Sequence, residues 1–189
     1  MRLPASPEFS ACTRCSLCNN EETGDFMPLP GDGPAPADIM FIGQAPGKTE
    51  QRVGKPFQGP AGAILDKVIE EAGLTRADIY ISNTVKQRPD DGGKDRKPTY
   101  AEMMACRPWL DAELAEVKPR IVVLFGESAH QLAFPGTKPH ECVGAARKTA
   151  DGRVWLAAYH PAWVLYKRDP RLRQLLVDVV VQAKEFARG

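Results

Sequence analysis

The chain has 189 residues, enough for one domain with a sizeable core. Its 25 Lys and Arg against 24 Asp and Glu leave a net charge of +1, so no overall field forces a polyanionic partner on it. No apolar run approaches the ~20 residues of a membrane span, and the N-terminus lacks the basic, apolar and small-residue regions of a secretion signal. A single-domain, cytoplasmic, monomeric protein without a membrane partner is expected over residues 1–189, with 1–37 an N-terminal segment that carries cysteines.

Residues 1–11 show no periodicity and are expected to be irregular. Cys12, Cys15 and Cys18 follow, three of the five cysteines within seven residues. In a chain of this class such spacing reads as a soft ligand set for a metal or an iron–sulfur cluster rather than as disulfides. Chance clustering of reduced thiols is the alternative. A first strand is expected over 38–42, and then comes Gly43–Gly62, GQAPGKTEQRVGKPFQGPAG. Five glycines and three prolines in that stretch exclude a regular helix or strand interior and leave a structured loop whose backbone can approach a ligand. Gly47-Lys48-Thr49 imitates the end of a phosphate-binding loop. However, only three residues separate Gly43 from Gly47 where that loop needs four, and no helix start is evident at Lys48. Phe57, between Pro56 and Gln58, is either a core residue or a flat apolar platform.

Apolar residues at 64, 65, 68, 69 and 72 have helical spacing, with Gly73 as the stop. A second strand is expected over 79–82, ending at Asn83. Thr99 and Glu102 form a capping box that opens a helix running to the residues before Pro119. Ile121–Phe125 is a continuous apolar run, the mark of a strand buried on both faces. A helix follows Gly126, residues 135–153 read as loop with at most a short extended piece, and a fourth strand covers 154–159. The last helix spans about 170–187. This alternation predicts an α/β fold, a three-layer αβα sandwich around a four-stranded parallel sheet.

In such a sheet the GQAPG loop, Asn83, Gly126 and His160 all emerge at the carboxyl edge, where open α/β sheets bind ligands. There are no paired catalytic carboxylates, no Ser-His-Asp order and no deaminase zinc pattern. Asn83 offers a donor and an acceptor side by side, which match the amide edge of a pyrimidine. Phe57 could stack on a flat ring, and His160 could donate to an oxygen that gains negative charge. Together these suit an extruded nucleobase. Two basic groups, Lys86, Arg88, Lys94, Arg96, Lys97 and Arg107, and Lys167, Arg168, Arg171 and Arg173, are either solvated faces or phosphate contacts.

GQAPGKTEQRVGKPFQGPAG, SNTVKQRP and HPAWVLYKR resemble the motifs of the uracil-DNA glycosylase superfamily, closest to its iron–sulfur (family 4) branch, and the likeness runs from Cys12 to the last helix. The resemblance implies a monofunctional DNA-repair hydrolase that cuts the N-glycosidic bond of uracil in single- or double-stranded DNA and leaves an abasic site. It implies that Phe57 stacks on uracil, that Asn83 pairs with its O4 and N3 edge, and that main-chain groups near Gln44 and Ala45 bind O2. His160 would stabilise the departing anion, Leu165 would wedge into the duplex, and Lys167 and Arg168 would meet phosphates. No cofactor takes part in such a hydrolysis.

Three departures from the family pattern stand out. Gln44 occupies a position that is usually Glu; Glu50 is the candidate to compensate. Gln87 replaces the usual third cluster cysteine, so a structural [4Fe–4S] cluster is expected on Cys12, Cys15, Cys18 and Cys106, with zinc the lesser possibility. The loop 90–98 resembles a branch that traps uracil-DNA covalently but has no histidine, so cross-linking is not expected. Two other functions stand beside excision: a weak or inactive homologue that only binds uracil or DNA, suggested by Gln44, and a metal-cluster interaction protein centred on the cysteines. The role of Cys142 is open.

Overall fold

A computed structural model describes residues 6–19 and 27–189. Five strands form the main sheet: β1 (Ile39–Gly43), β2 (Ile79–Asn83), β5 (Ile121–Phe125), β6 (Ala146–Lys148) and β7 (Val154–Ala158). Their spatial order is β2-β1-β5-β7-β6, and β3 (Asp90–Asp91) pairs with β4 (Lys94–Asp95) as a separate small hairpin. β2, β1, β5 and β7 are mutually parallel, but β6 runs antiparallel to β7. The sheet is therefore mixed and five-stranded, not parallel and four-stranded as the alternation of elements predicted. The reason lies in the missed strand: β6 is three exposed residues with no apolar alternation. It gives no sequence signal, and it pairs because it lies beside the uncovered edge of β7.

The four parallel strands are apolar on both faces because both faces are covered. On one side, Ile39, Phe41, Val123 and Phe125 pack against α3 (Pro60–Glu71), α7 (Pro161–Lys167) and α8 (Pro170–Arg188), through Leu65, Val68, Val164, Leu176 and Val180. On the other, Met40, Ile42, Val122 and Leu124 meet Leu110, Leu114 and Val117 of α4 (Tyr100–Val117) and Ala129 of α5 (Glu127–His130). Helices on both faces of a sheet are the layered arrangement the sequence implied. None of the helices among the described residues is long and apolar enough to cross a membrane.

Four short helices appear where none was expected, α7 and three others. α1 (Pro7–Ser10) buries Phe9 edge-on against Trp109 of α4, at 5.2 Å between ring centroids. α2 (Lys48–Val53) begins at Lys48 after all, with Gly47 as its N-cap. The spacing argument alone therefore separates this loop from a phosphate-binding one. The expected capping box of α4 is present: Glu102 N–H donates to Thr99 Oγ1 at 3.2 Å, and Thr99 N–H donates to Glu102 Oε2 at 2.7 Å. α6 (Pro139–Cys142) closes the set.

Candidate active site

Parallel pairing brings the strand ends to one edge, and Gly43 is directly opposite Asn83 in the ladder. A cleft of about 560 Å³ opens there, walled by Gln44, Ala45, Glu50, Phe57, Asn83, His160, Leu165 and Tyr166, with Asp95, Arg96 and Lys97 from the far side. All the residues expected to meet a base therefore line one cavity. Gly43 is what lets them converge. A Cβ at that position would lie 2.5 Å from Asn83 Oδ1 and 2.6 Å from the Phe57 ring, so any side chain would fill the space the two share.

Asn83 is 4% exposed, and its Oδ1 is the one buried side-chain polar atom among the described residues with no hydrogen-bond partner. Leaving such an acceptor unsatisfied costs about 1–3 kcal/mol, so the site carries an acceptor that a ligand N–H would satisfy. Phe57 is 5% exposed and has φ 53°, in the left-handed region that bulky side chains avoid. Its ring is edge-on to Phe125 at 6.0 Å, while His160 stacks at 5.7 Å with 25° between planes. Gly62 permits this placement, because a Cβ there would overlap the Phe57 carbonyl at 1.9 Å. Arg76 secures the same carbonyl with an Nη2–H bond of 2.6 Å. Phe57 is thus a core residue and a cleft wall at once.

His160 is the N-cap of α7, and its Nδ1 accepts from Ala162 N–H at 3.1 Å. That fixes the tautomer: the proton sits on Nε2, the ring's donor. Burial lowers its pKa from 6.5 to about 4, so the ring is neutral near pH 7. His130, by contrast, is fully buried away from the cleft. Its Nε2–H faces the Leu124 and Ala158 carbonyls at 3.1 and 2.8 Å, tying the ends of β5 and β7, and Cys142 Sγ lies 3.5 Å from its Nδ1. Cys142 is therefore a buried partner of His130 and lines neither the cleft nor the cysteine pocket.

Gln44, where the family pattern has Glu, and Glu50, the candidate to compensate for it, are both tied down. Gln44 Oε1 accepts from Ser128 Oγ at 2.9 Å. Glu50 is buried, and its oxygens accept from the N–H groups of Gly47, Gln58 and Gly59 at 3.2, 2.9 and 2.7 Å. It fastens the Gly47 turn to the loop that mounts Phe57. Sequence reading passed over Asp95, whose Oδ1 accepts from Arg88 Nε at 2.5 Å. Its Oδ2 lies 3.6 Å from where a Cβ on Gly47 would stand. It also passed over Tyr166, 80% exposed beside Leu165 at the cleft mouth. Pro161 directly after a capping residue was the available signal that HPAWVLYKR begins a helix.

The basic groups divide on inspection. Lys86 and Arg88 are buried, and Arg88 closes the β3–β4 hairpin through Asp90, Asp95 and the Gly93 carbonyl. Arg96 makes a two-point bond to Glu102. Lys167 and Arg168 are exposed beyond Leu165, with Lys167 Nζ 4.7 Å from the Trp163 ring centroid.

Cys12, Cys15 and Cys106 line a second, much smaller pocket with Lys86, Gln87 and Trp109. Cys18, expected as the fourth ligand, is not among its walls, whereas Gln87 is. Two of the sulfurs already receive N–H donors, Cys12 from Trp109 Nε1 and Cys106 from Lys86 N–H, both at 3.2 Å. Such bonds suit thiolates. Among the described residues no three Cys, His, Asp or Glu stand together in a way that would hold one metal ion, while thiols are the donors that iron–sulfur clusters take.

Residues 30–182 match the family described as the uracil DNA glycosylase superfamily. The chain belongs to that superfamily. It is 31% identical over 183 residues to the type-4 uracil-DNA glycosylase of Thermotoga maritima, covering 96% of this chain and 92% of that one. The type-4 uracil-DNA glycosylase of Saccharolobus solfataricus is 34% identical over 187 residues, 94% of this chain and 82% of that one. A type-5 uracil-DNA glycosylase of Thermus thermophilus is 31% identical over 180 residues, 85% of this chain and 80% of that one.

Proposed function

We propose that this protein is a DNA-repair uracil-DNA glycosylase that hydrolyses the bond between uracil N1 and C1′ of deoxyribose. The unpartnered, buried Oδ1 of Asn83 carries the reading: it would accept the N3–H of uracil, while the amide nitrogen would donate to O4. Phe57 supplies the stacking face, and main-chain groups near Gln44 and Ala45 would meet O2. Leu165, exposed at the cleft, would fill the space of the extruded base, and the exposed Lys167 and Arg168 would meet phosphates.

As the C1′–N1 bond breaks, its electron pair passes to the uracil ring and its oxygens. Neutral His160 hydrogen-bonds to the anion from Nε2, and water adds to the cationic sugar carbon, its released proton passing through solvent to neutralise the uracil anion. Gln44 cannot act as a base. Glu50 is committed to three main-chain N–H groups, which leaves Asp95 as the carboxylate with an oxygen to face the water and the sugar cation. Cys12, Cys15 and Cys106 would hold a [4Fe–4S] cluster that ties the N-terminal segment to α4, a structural role apart from the hydrolysis.

The test is release of labelled uracil from single- and double-stranded oligonucleotides, followed by alkaline cleavage at the abasic site. Multiple turnovers are expected, slowed roughly tenfold or more in Asp95→Asn. Retarded migration of the DNA without any released base would favour a binding protein instead, and parental rates in Asp95→Asn would remove that carboxylate from the mechanism.

A further inference from the structure

We infer that Lys86 is a positioning residue for Asn83, an inference that rests on the reading of Asn83 given above. The Lys86 side chain is 1% exposed and that of Glu113 is 0%. A lysine ammonium has three N–H bonds and no acceptor. Here each bond has a partner: Ser82 Oγ at 2.6 Å, Glu113 Oε2 at 2.7 Å and the main-chain oxygen of Asn83 at 3.0 Å. Glu113 completes the network, accepting from the Ser82 hydroxyl at 2.5 Å and from Gly31 N–H at 2.8 Å. The main chain of Lys86 is anchored as well. Its N–H donates to Cys106 Sγ at 3.2 Å, and its carbonyl accepts from Leu29 N–H at 2.5 Å.

Replacing a buried ion pair by apolar side chains of similar volume is often neutral or stabilising, so stability alone does not account for this one. What two apolar residues could not do is hold the Asn83 carbonyl and the Ser82 hydroxyl. These are the last two residues of β2, on the outer edge of the sheet, where Ile81 is bridged to Asp32 but, among the described residues, no strand pairs with Ser82 and Asn83 on the side away from β1. The ammonium takes the place of a ladder partner there and sets the direction in which the Asn83 amide projects. Hydrogen bonds weaken steeply as their angle closes, so a turned amide reads the uracil edge poorly while the DNA face is untouched. The same residue joins the cleft to the cysteine pocket, because its ammonium holds Asn83 and its N–H holds Cys106.

The experiment compares Lys86→Met, which strands the Glu113 charge, with Lys86→Met/Glu113→Leu, which removes both charges, and with Asn83→Ala. Single-turnover excision is measured well below each melting temperature, together with affinity for DNA containing an abasic site. Excision is expected to fall roughly tenfold or more in Lys86→Met and to stay down in the double variant even where its melting temperature returns to the parental value. Affinity for the abasic DNA should hold within about twofold. A double variant that excises at the parental rate would overturn the inference and leave the pair as core filling. Parental excision by Asn83→Ala would instead overturn the reading of the site itself. If Lys86→Met does not fold, Ser82→Ala, which removes one ammonium acceptor and leaves both charges, decides together with the double variant; parental rates in both overturn the inference.

Discussion

His160 shows how one capping bond sets a residue's chemistry. Nδ1 is occupied by Ala162 N–H, and burial holds the ring neutral down to about pH 4, so Nε2 donates over the whole physiological range. The pH dependence of both rate and stability follows. An unfolded histidine takes a proton near 6.5 while the folded one refuses it until about 4, so the unfolded state binds more protons between those values. Stability contributed by the buried neutral ring is full above 6.5 and declines as pH falls toward 4, and His130, also lowered by burial, acts in the same direction. The single-turnover rate should show no inflection near pH 6.5 and should fall only as pH approaches about 4; an inflection near 6.5 would mean that His160 titrates in the cleft. Asn83, Phe57 and His160 were legible in the sequence because their types are specific and strand ends place them together. The restraint of Glu50 was not, because three main-chain N–H donors from two loops are visible only once the loops have folded. Lys86 was read as part of a basic group for the same reason.

The N-terminal segment shows the same division at the scale of elements. Its docking rests on Phe9 against Trp109, on Arg14 5.4 Å from the Trp109 ring centroid, and on Ser16 Oγ donating to Glu102 Oε1 at 3.1 Å. Glu102 also receives Arg96 from the cleft wall, and these bonds hold its carboxyl at about 2. One carboxylate therefore joins the cysteine segment, the start of α4 and the far side of the cleft. Protein purified without oxygen is expected to contain iron and sulfide. Cys18→Ser should keep the iron and Cys106→Ser should lose it, by metal analysis and visible absorbance. Iron-free protein that is folded and active would remove the cluster, and loss of iron in Cys18→Ser would return Cys18 to the ligand set. That Cys12 and Cys15 lie together was legible from their spacing, but that Gln87 and not Cys18 lines the pocket beside them was not, because it depends on how residues distant in the chain face one another. The β3–β4 hairpin was equally silent, since its four strand residues are Asp and Lys.

For the molecule as a whole, the apolar strand runs and the helices between them were enough to predict a layered α/β fold with its site at one edge. They could not show β6, which alters the sheet at the margin farthest from Asn83 and leaves the cleft unchanged. The four parallel strands act as a rigid mount. Gly43 keeps the floor open, the GQAPG loop rises from the end of β1 and the helix after His160 from the end of β7, with β5 between them, and the hairpin closes the far wall. The unpartnered amide oxygen of Asn83 is the feature from which the function is argued, so its removal is the most direct test. Release of uracil by Asn83→Ala at saturating enzyme should fall by roughly a hundredfold or more, while binding to DNA with an abasic site holds. A variant that releases uracil at the parental rate would contradict the account.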